Sequence, residues 1–200
     1  EPSVATGGTE LTGVYGDGQP RGTHTWRHLV DAEAYGMWLA PTPGCYVSGA
    51  NSARYHSFSE TTNSWTARGY QPGYSSTDGG SDPASDMGSL YDIKTARIVC
   101  AASAGAFWTI RPDTGAASAK AAEYMGNFYT GMALSWQRRA LVIWKPSAGQ
   151  IHAYNIDADT IHTPADTGTA VSGSPNPGMV WHGPSGAILA LGSNTATLSK

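Results

Sequence analysis

Charge is what this chain has least of. Charged residues make up 14% of its 200 positions, against about a quarter in an ordinary soluble domain. Lys and Arg number 12 and Asp and Glu 15, for a formal net charge of −3, and Arg138–Arg139 is the one adjacent basic pair. A basic stripe able to track phosphates is missing, so nucleic acid is not an expected partner. No apolar run approaches the roughly 18–20 residues that span a bilayer, so membrane insertion is not expected either. The opening "EPSVATGGTE" has neither a basic region nor an apolar stretch, as expected where a signal peptide is absent or already removed. The two cysteines, Cys45 and Cys100, form no CxxC and no metal-ligand spacing. One disulfide and two buried thiols both remain open readings. Gly-x-Ser-x-Gly, HExxH and a phosphate-binding loop are absent as well.

What is abundant points to strands. The chain holds 25 Gly, 12 Pro, 10 Tyr and 7 Trp, and the best helix formers are scarce, a composition of many short strands joined by turns. The strands come in a repeat of about 45 residues. "GSLYDIKTARIVCAASAG", "GMALSWQRRALVIWKPSAG" and "GMVWHGPSGAILALGSN" open at Gly88, Gly131 and Gly178. Each has a short apolar segment with an aromatic (Tyr91, Trp136 and Trp181, taken as equivalent), a polar turn and a second apolar segment: "RIVCA", "ALVIW", "AILAL". That is a hairpin whose second strand is buried on both faces. A second hairpin follows in "AFWTIRPDTGAA" and "IHAYNIDADTIH", each turning at an Asp-containing corner. The N-terminal part fits the template with "HLVDAEAYGMWLA" and "RYHSFSETTNSWTA". Four strands per repeat predict an all-β chain, a β-propeller of about four blades in one module over 1–200. Its units are approximately 22–87, 88–130, 131–177 and 178–200. The last unit stops after one hairpin, so residues 1–21, with "TELTGVYG" as a strand, either complete it or leave the chain as part of a larger assembly.

Two resemblances accompany this pattern. "YHSFSETTNSWTA" resembles the outer hairpin of a kelch-type blade, as in the central domain of galactose-oxidase-like proteins, and "RGTHTWRHLVDAEAYGMWL" resembles the kelch opening. The paired glycines of kelch second strands are replaced by Ala-Ala, Lys-Pro and Leu-Gly. "SPNPGMVW" resembles an Asp-box, the turn motif of sialidase-like propellers, with "ASDMGSLY" a degenerate version. Both resemblances imply a propeller.

Candidates for chemistry are few. His24 and His28 would stand about 13 Å apart on a strand at roughly 3.3 Å per residue, too far for one ion. His152, His162 and His182 fall in different blade positions. Neither a metal nor a cofactor is expected. Tyr55-His56 resembles the copper-binding pair of galactose-oxidase-like enzymes, but it lies in the second hairpin, away from a central axis. Glu33, Glu60, Asp92, Asp113, Asp157 and Asp159 fall in predicted turns, where carboxylates cap backbone N–H groups, and Glu123 and Asp31 lack a recognisable partner. The arginines a sialidase would need, Arg21, Arg27, Arg54 and Arg68, sit in one unit. The insertion "GYQPGYSSTDGGSDPASD" sets Tyr70, Tyr74, Asp78 and Asp82 among Gly and Ser, the composition of contact loops. The expectation is a binding module without catalysis of its own, taking a protein or glycan through these loops, outside the cell or on a virion surface, as a homo-oligomer or part of a larger assembly. The alternative is a carbohydrate-active enzyme, a glycosidase or a copper oxidase.

Overall fold

The computed structural model describes residues 29–39, 54–70, 72, 88–101, 106–123, 131–145, 150–163, 178–191 and 198–199. They are all-β: antiparallel strands in four sheets, with two single 3-10 turns, Glu33–Tyr35 and Gly183–Ser185. No helix among them is long and apolar enough to cross a membrane.

Each sheet is a meander in chain order. The first joins β1 (Leu29–Asp31), β2 (Met37–Leu39), β3 (Arg54–Ser59) and β4 (Ser64–Tyr70). The second joins β5 (Ser89–Asp92), β6 (Arg97–Ala101), β7 (Ala106–Ile110) and β8 (Ala117–Glu123). The third joins β9 (Gly131–Ser135), β10 (Ala140–Lys145), β11 (Gln150–Asn155) and β12 (Thr160–His162). The fourth has three strands, β13 (Gly178–His182), β14 (Ala187–Leu191) and β15 (Leu198–Ser199). The fourth unit therefore carries one strand more than the single hairpin expected, and residues 1–21 lie outside the described residues. The chain separates into two compact units, Glu1–Ala102 with Phe107–Ala119, and Ser103–Ala106 with Lys120–Lys200; the first holds the first sheet and most of the second, and the second holds the third and fourth.

The turns explain why the pattern was readable. The four-residue corners 60–63, 93–96, 136–139 and 156–159 each end in a left-handed residue: Asn63, Ala96, Arg139 and Asp159, with φ between 48° and 53°. Asn and Asp tolerate this conformation; Ala and Arg hold it at a cost of about 1–2 kcal/mol. Side chains brace the corners. Asp92 Oδ2 accepts from Thr95 Oγ1 at 2.5 Å, and Asn155 Oδ1 accepts the backbone N–H groups of Asp157 and Ala158 at 3.0 and 2.9 Å. Gly36 is required for a different reason. It has φ 74°, and a Cβ there would stand 2.6 Å from the Phe58 carbonyl oxygen.

Cross-strand register shows where the repeat holds. Gly88 accepts a backbone hydrogen bond from Ala101, while Gly131 pairs with Trp144 and Gly178 with Leu191. In every case the glycine lies four residues before the last pair of its hairpin, Asp92↔Arg97, Ser135↔Ala140 or His182↔Ala187. The aromatic positions do not all follow. Tyr91 and Trp181 lie one residue before the last pair of their hairpins, Asp92↔Arg97 and His182↔Ala187. Leu134 holds that place in the third sheet, and Trp136 lies in the corner beyond Ser135, 40% exposed. Trp136 is thus not equivalent to Tyr91 and Trp181. Counting to the nearest aromatic overshot the matched position, Leu134, by two residues.

In the first unit the two sheets pack face to face. Val30, Ala32, Trp38 and Tyr55 from the first sheet meet Ile98, Cys100, Trp108 and Ile110 from the second, with Tyr91 and Ala117 at the margin. In the second unit Met132, Leu134, Leu141, Ile143 and Tyr154 are buried on one face of the third sheet.

Candidate functional site

In a meander, successive connections alternate between the two ends of the sheet. The tight corners therefore occupy one end of each sheet. In the first sheet the connections after β2 and after β4 leave from the other end, which is where Tyr70 stands, half-buried. This end is the candidate binding end. Tyr74, Asp78 and Asp82 follow Tyr70 in the chain and lie outside the described residues, as do His24, His28 and Cys45.

At the corner end the carboxylates are engaged in local structure. Asp31 Oδ1 accepts the Glu33 N–H at 2.9 Å. Asp113 forms an exposed ion pair with Arg111 at 2.5 Å, which lowers its pKa through the hydrogen bond it accepts. Asp157 takes a two-pronged contact from Arg139, Nε at 3.2 Å and Nη2 at 3.0 Å, tying the corner of β9–β10 to that of β11–β12. Asp159 accepts from the buried Tyr154 hydroxyl at 3.0 Å, and burial followed by this carboxylate raises the Tyr154 pKa. Asp92 holds the expected capping role, accepting the Lys94 N–H at 3.3 Å; Asp113, Asp157 and Asp159 sit in turns as expected but meet Arg111, Arg139 and the Tyr154 hydroxyl, and Asp31 gains a partner that the sequence did not show. Glu33 and Glu60 sit in turns as well, and the Glu123 side chain lies outside the description. His152 Nδ1 pairs with Thr163 Oγ1 at 2.9 Å and His182 Nδ1 with Ser185 Oγ at 2.8 Å. His162 is exposed at the end of β12. Among the described residues no three His, Cys, Asp or Glu side chains come together.

The Tyr55-His56 pair is separated by the alternation of β3. Both residues are buried, but they project from opposite faces, so they cannot converge on one ion. Tyr55 enters the core beside Cys100 and Trp108. Burial, with Cys100 adding to it, raises the Tyr55 pKa far above the phenol range. The Trp108 N–H lies towards the Tyr55 oxygen and slightly offsets that shift, yet the two do not meet at hydrogen-bond geometry. Burial pushes the Cys100 thiol up to about 12, eased by a hydrogen bond with Ser89. Phenol and thiol are both held protonated at neutral pH, which suits packing and not nucleophilic chemistry.

One residue of note was not legible as such. Arg68 Nε donates to Ser57 Oγ at 2.7 Å, and its guanidinium lies 5.8 Å from the Trp38 ring centroid. The register shift at Tyr55/His56 aims it there, and Gly115, with φ 74°, leaves room for its stem: a Cβ on Gly115 would meet the Arg68 Cβ at 3.3 Å. The Arg68 partners Ser57 and Trp38 both belong to the first sheet. The only available signal was its place in an otherwise alternating strand.

No family model and no curated protein matches the chain. Among solved structures it is similar to an auxiliary nutrient binding protein from Bacteroides ovatus, with TM-score 0.57 and 11% identity over 96% of this chain and 44% of that one. It is also similar to a protein of unknown function from Bacteroides thetaiotaomicron, with TM-score 0.55 and 10% identity over 95% of this chain and 46% of that one. The likeness is one of fold. The chain spans less than half the length of either structure.

Proposed function

We propose that the chain is a non-catalytic binding module of propeller type, whose four sheets are blades and whose connections opposite the tight corners take a protein or glycan. The observation that carries this reading is the engagement of the turn carboxylates. Asp31, Asp92, Asp113, Asp157 and Asp159 each hold a backbone N–H, a hydroxyl or an arginine of their own neighbourhood. A glycosidase needs two carboxylates facing one substrate in different environments, and these five are placed to fix corners. The fold shared with a nutrient binding protein is consistent with binding as the role. The kelch-like hairpin "YHSFSETTNSWTA" supports the blade reading, since it folds as β3, a four-residue corner and β4. A surface of Ser, Thr and Gly with 14% charged residues supports a place outside the cell or on a virion surface.

The test is a carbohydrate array and a pull-down with the labelled chain, each repeated with Tyr74→Ala. Retention of a glycan or protein, weakened at least about tenfold in the variant, supports the reading and identifies the ligand class. Turnover of a retained glycan, or binding unchanged by loss of Tyr74, overturns it.

A further inference from the structure

The corner after β9 differs in kind from those after β3, β5 and β11. Corners 60–63, 93–96 and 156–159 carry no aromatic side chain, whereas 136–139 reads Trp136, Gln137, Arg138 and Arg139. Arg139 is engaged in the corner itself, where its Nη2 meets Asp157 at 3.0 Å. The other three side chains are exposed, Trp136 to 40%. β9 before them is buried at every position. The corner thus sets an indole in water directly after a strand that is buried throughout.

A single exposed apolar side chain needs no explanation, but here a second indole stands at the same end. Within the second unit β13 packs alongside β9, which brings the 3-10 turn Gly183–Ser185 against the 136–139 corner. A Cβ on Gly186 would lie 3.7 Å from Gln137 Oε1 and 3.9 Å from Trp181 Cη2, and one on Gly183 would lie 4.0 Å from Trp181 Nε1. The half-buried Trp181 ring therefore extends along the turn from Gly183 to Gly186, and the Gln137 amide reaches the same glycine. Glycine at both ends of the turn keeps side chains off this strip. Two corners of the second unit so combine into one surface of indole, amide and guanidinium.

We propose that this surface is a glycan site, on which a sugar ring lies against Trp136 while Gln137 and Arg138 bond its hydroxyls. It goes beyond the reading above, which places binding at the connections opposite the tight corners. Three features select a sugar. A pyranose has an apolar C–H face and a polar rim, and an indole flanked by hydrogen-bonding side chains presents the same two chemistries. Gln137 both donates and accepts while Arg138 only donates, which suits hydroxyls that do both. The apolar part is one exposed and one half-buried indole, far short of the about 800 Å² per partner of a stable protein interface. The carboxylates at this end, Asp157 and Asp159, are held by Arg139 and the Tyr154 hydroxyl, so the site retains a sugar and lacks the facing pair that would cleave it.

The test is an array of neutral and acidic oligosaccharides probed with the full chain carrying Tyr74→Ala, so that the connection after β4 does not contribute. Retention of a glycan is expected. In that background Trp136→Ala should weaken retention at least about tenfold. Trp136→Tyr should keep most of it, because a ring still offers its face, and Trp136→Leu should lose it although apolar area remains. Gln137→Ala should weaken it about two- to tenfold, the loss of one hydrogen bond. All four side chains lie at the surface, so each variant should keep the wild-type circular dichroism. Binding indifferent to Trp136→Ala, a Leu variant that binds as well as the Tyr one, or capture of a protein in place of a glycan through Trp136 overturns the proposal. A glycan held by the wild type and lost entirely with Tyr74→Ala overturns it too, and leaves the loop reading standing. A glycan that ignores Tyr74→Ala and needs Trp136 does the reverse.

Discussion

The second and fourth sheets have nearly interchangeable second strands. "RIVCA", apolar after Arg97, and "AILAL", apolar throughout, each pair antiparallel with the first strand of their sheet. Yet Ile98, Val99, Cys100 and Ala101 are all buried, while every described side chain of β14 is half-exposed and β13 alternates between exposed and half-exposed. Composition does not separate them. What differs is what lies on each face, because hydrophobic stabilisation follows area removed from water and a sheet cannot cover itself.

Truncating one aromatic in each sheet sharpens this contrast most. Trp108→Ala empties a site in the core of the first unit and should cost about 3–5 kcal/mol. Trp181→Ala, at a half-buried position, should cost about 1–2 kcal/mol in the isolated chain. Urea denaturation measures both, and equal losses would show that the fourth sheet is as well covered as the second.

A second contrast lies in the titration of Cys100, whose matched position in the fourth sheet is Ala190. The folded-state pKa of the thiol is raised from 9.0 to about 12. A raised acid pKa means that its contribution is fully present below the unfolded value and is lost as pH rises through the folded one. Stability should therefore decline between about pH 9 and pH 12, and Cys100→Ala should flatten part of that slope. An unaltered slope in the variant would move the alkaline sensitivity to Tyr55 and Tyr154, whose pKa values burial also raises.

The smallest effect concerns the corners. Ala96 closes the β5–β6 turn at φ 48°, and Gly186 closes the β13–β14 turn at φ 60°. Ala96→Gly should raise stability by about 0.5–1 kcal/mol by relieving a left-handed alanine. Gly186→Ala should lower it by about 1 kcal/mol, since the nearest atoms to an added Cβ are 3.7 Å and 3.9 Å away and only the backbone objects. Shifts of thermal midpoint in opposite directions are the expected readout.

The candidate site was legible to different depths. Asp92 could be assigned to its corner because an Asx-type contact needs only the next two or three residues, whereas the partners of Asp157 and Asp159, Arg139 and Tyr154, are brought to them by strand pairing. Arg68 could not be assigned, because its partners Ser57 and Trp38 are brought to it by register and by a bulge. Tyr55 and His56 looked like one ligand pair in the sequence; strand alternation sends them to opposite faces. The contact-loop residues Tyr74, Asp78 and Asp82 remain a reading of composition carried into the proposed function.

By itself the sequence determined the strands, the corners and their recurrence. These follow from local rules: alternation of side chains along a strand, turn residues able to hold φ above zero, and glycines where backbones approach closely. Tertiary structure alone decided which of the matched positions is inside. Trp136 falls in a corner while Trp181 stays in its strand, because register is set by the closing pair and not by the nearest aromatic. Val30 is buried while Val180, paired in the same way within its own hairpin, is exposed, because burial depends on what packs against the sheet and no local stretch of sequence encodes that.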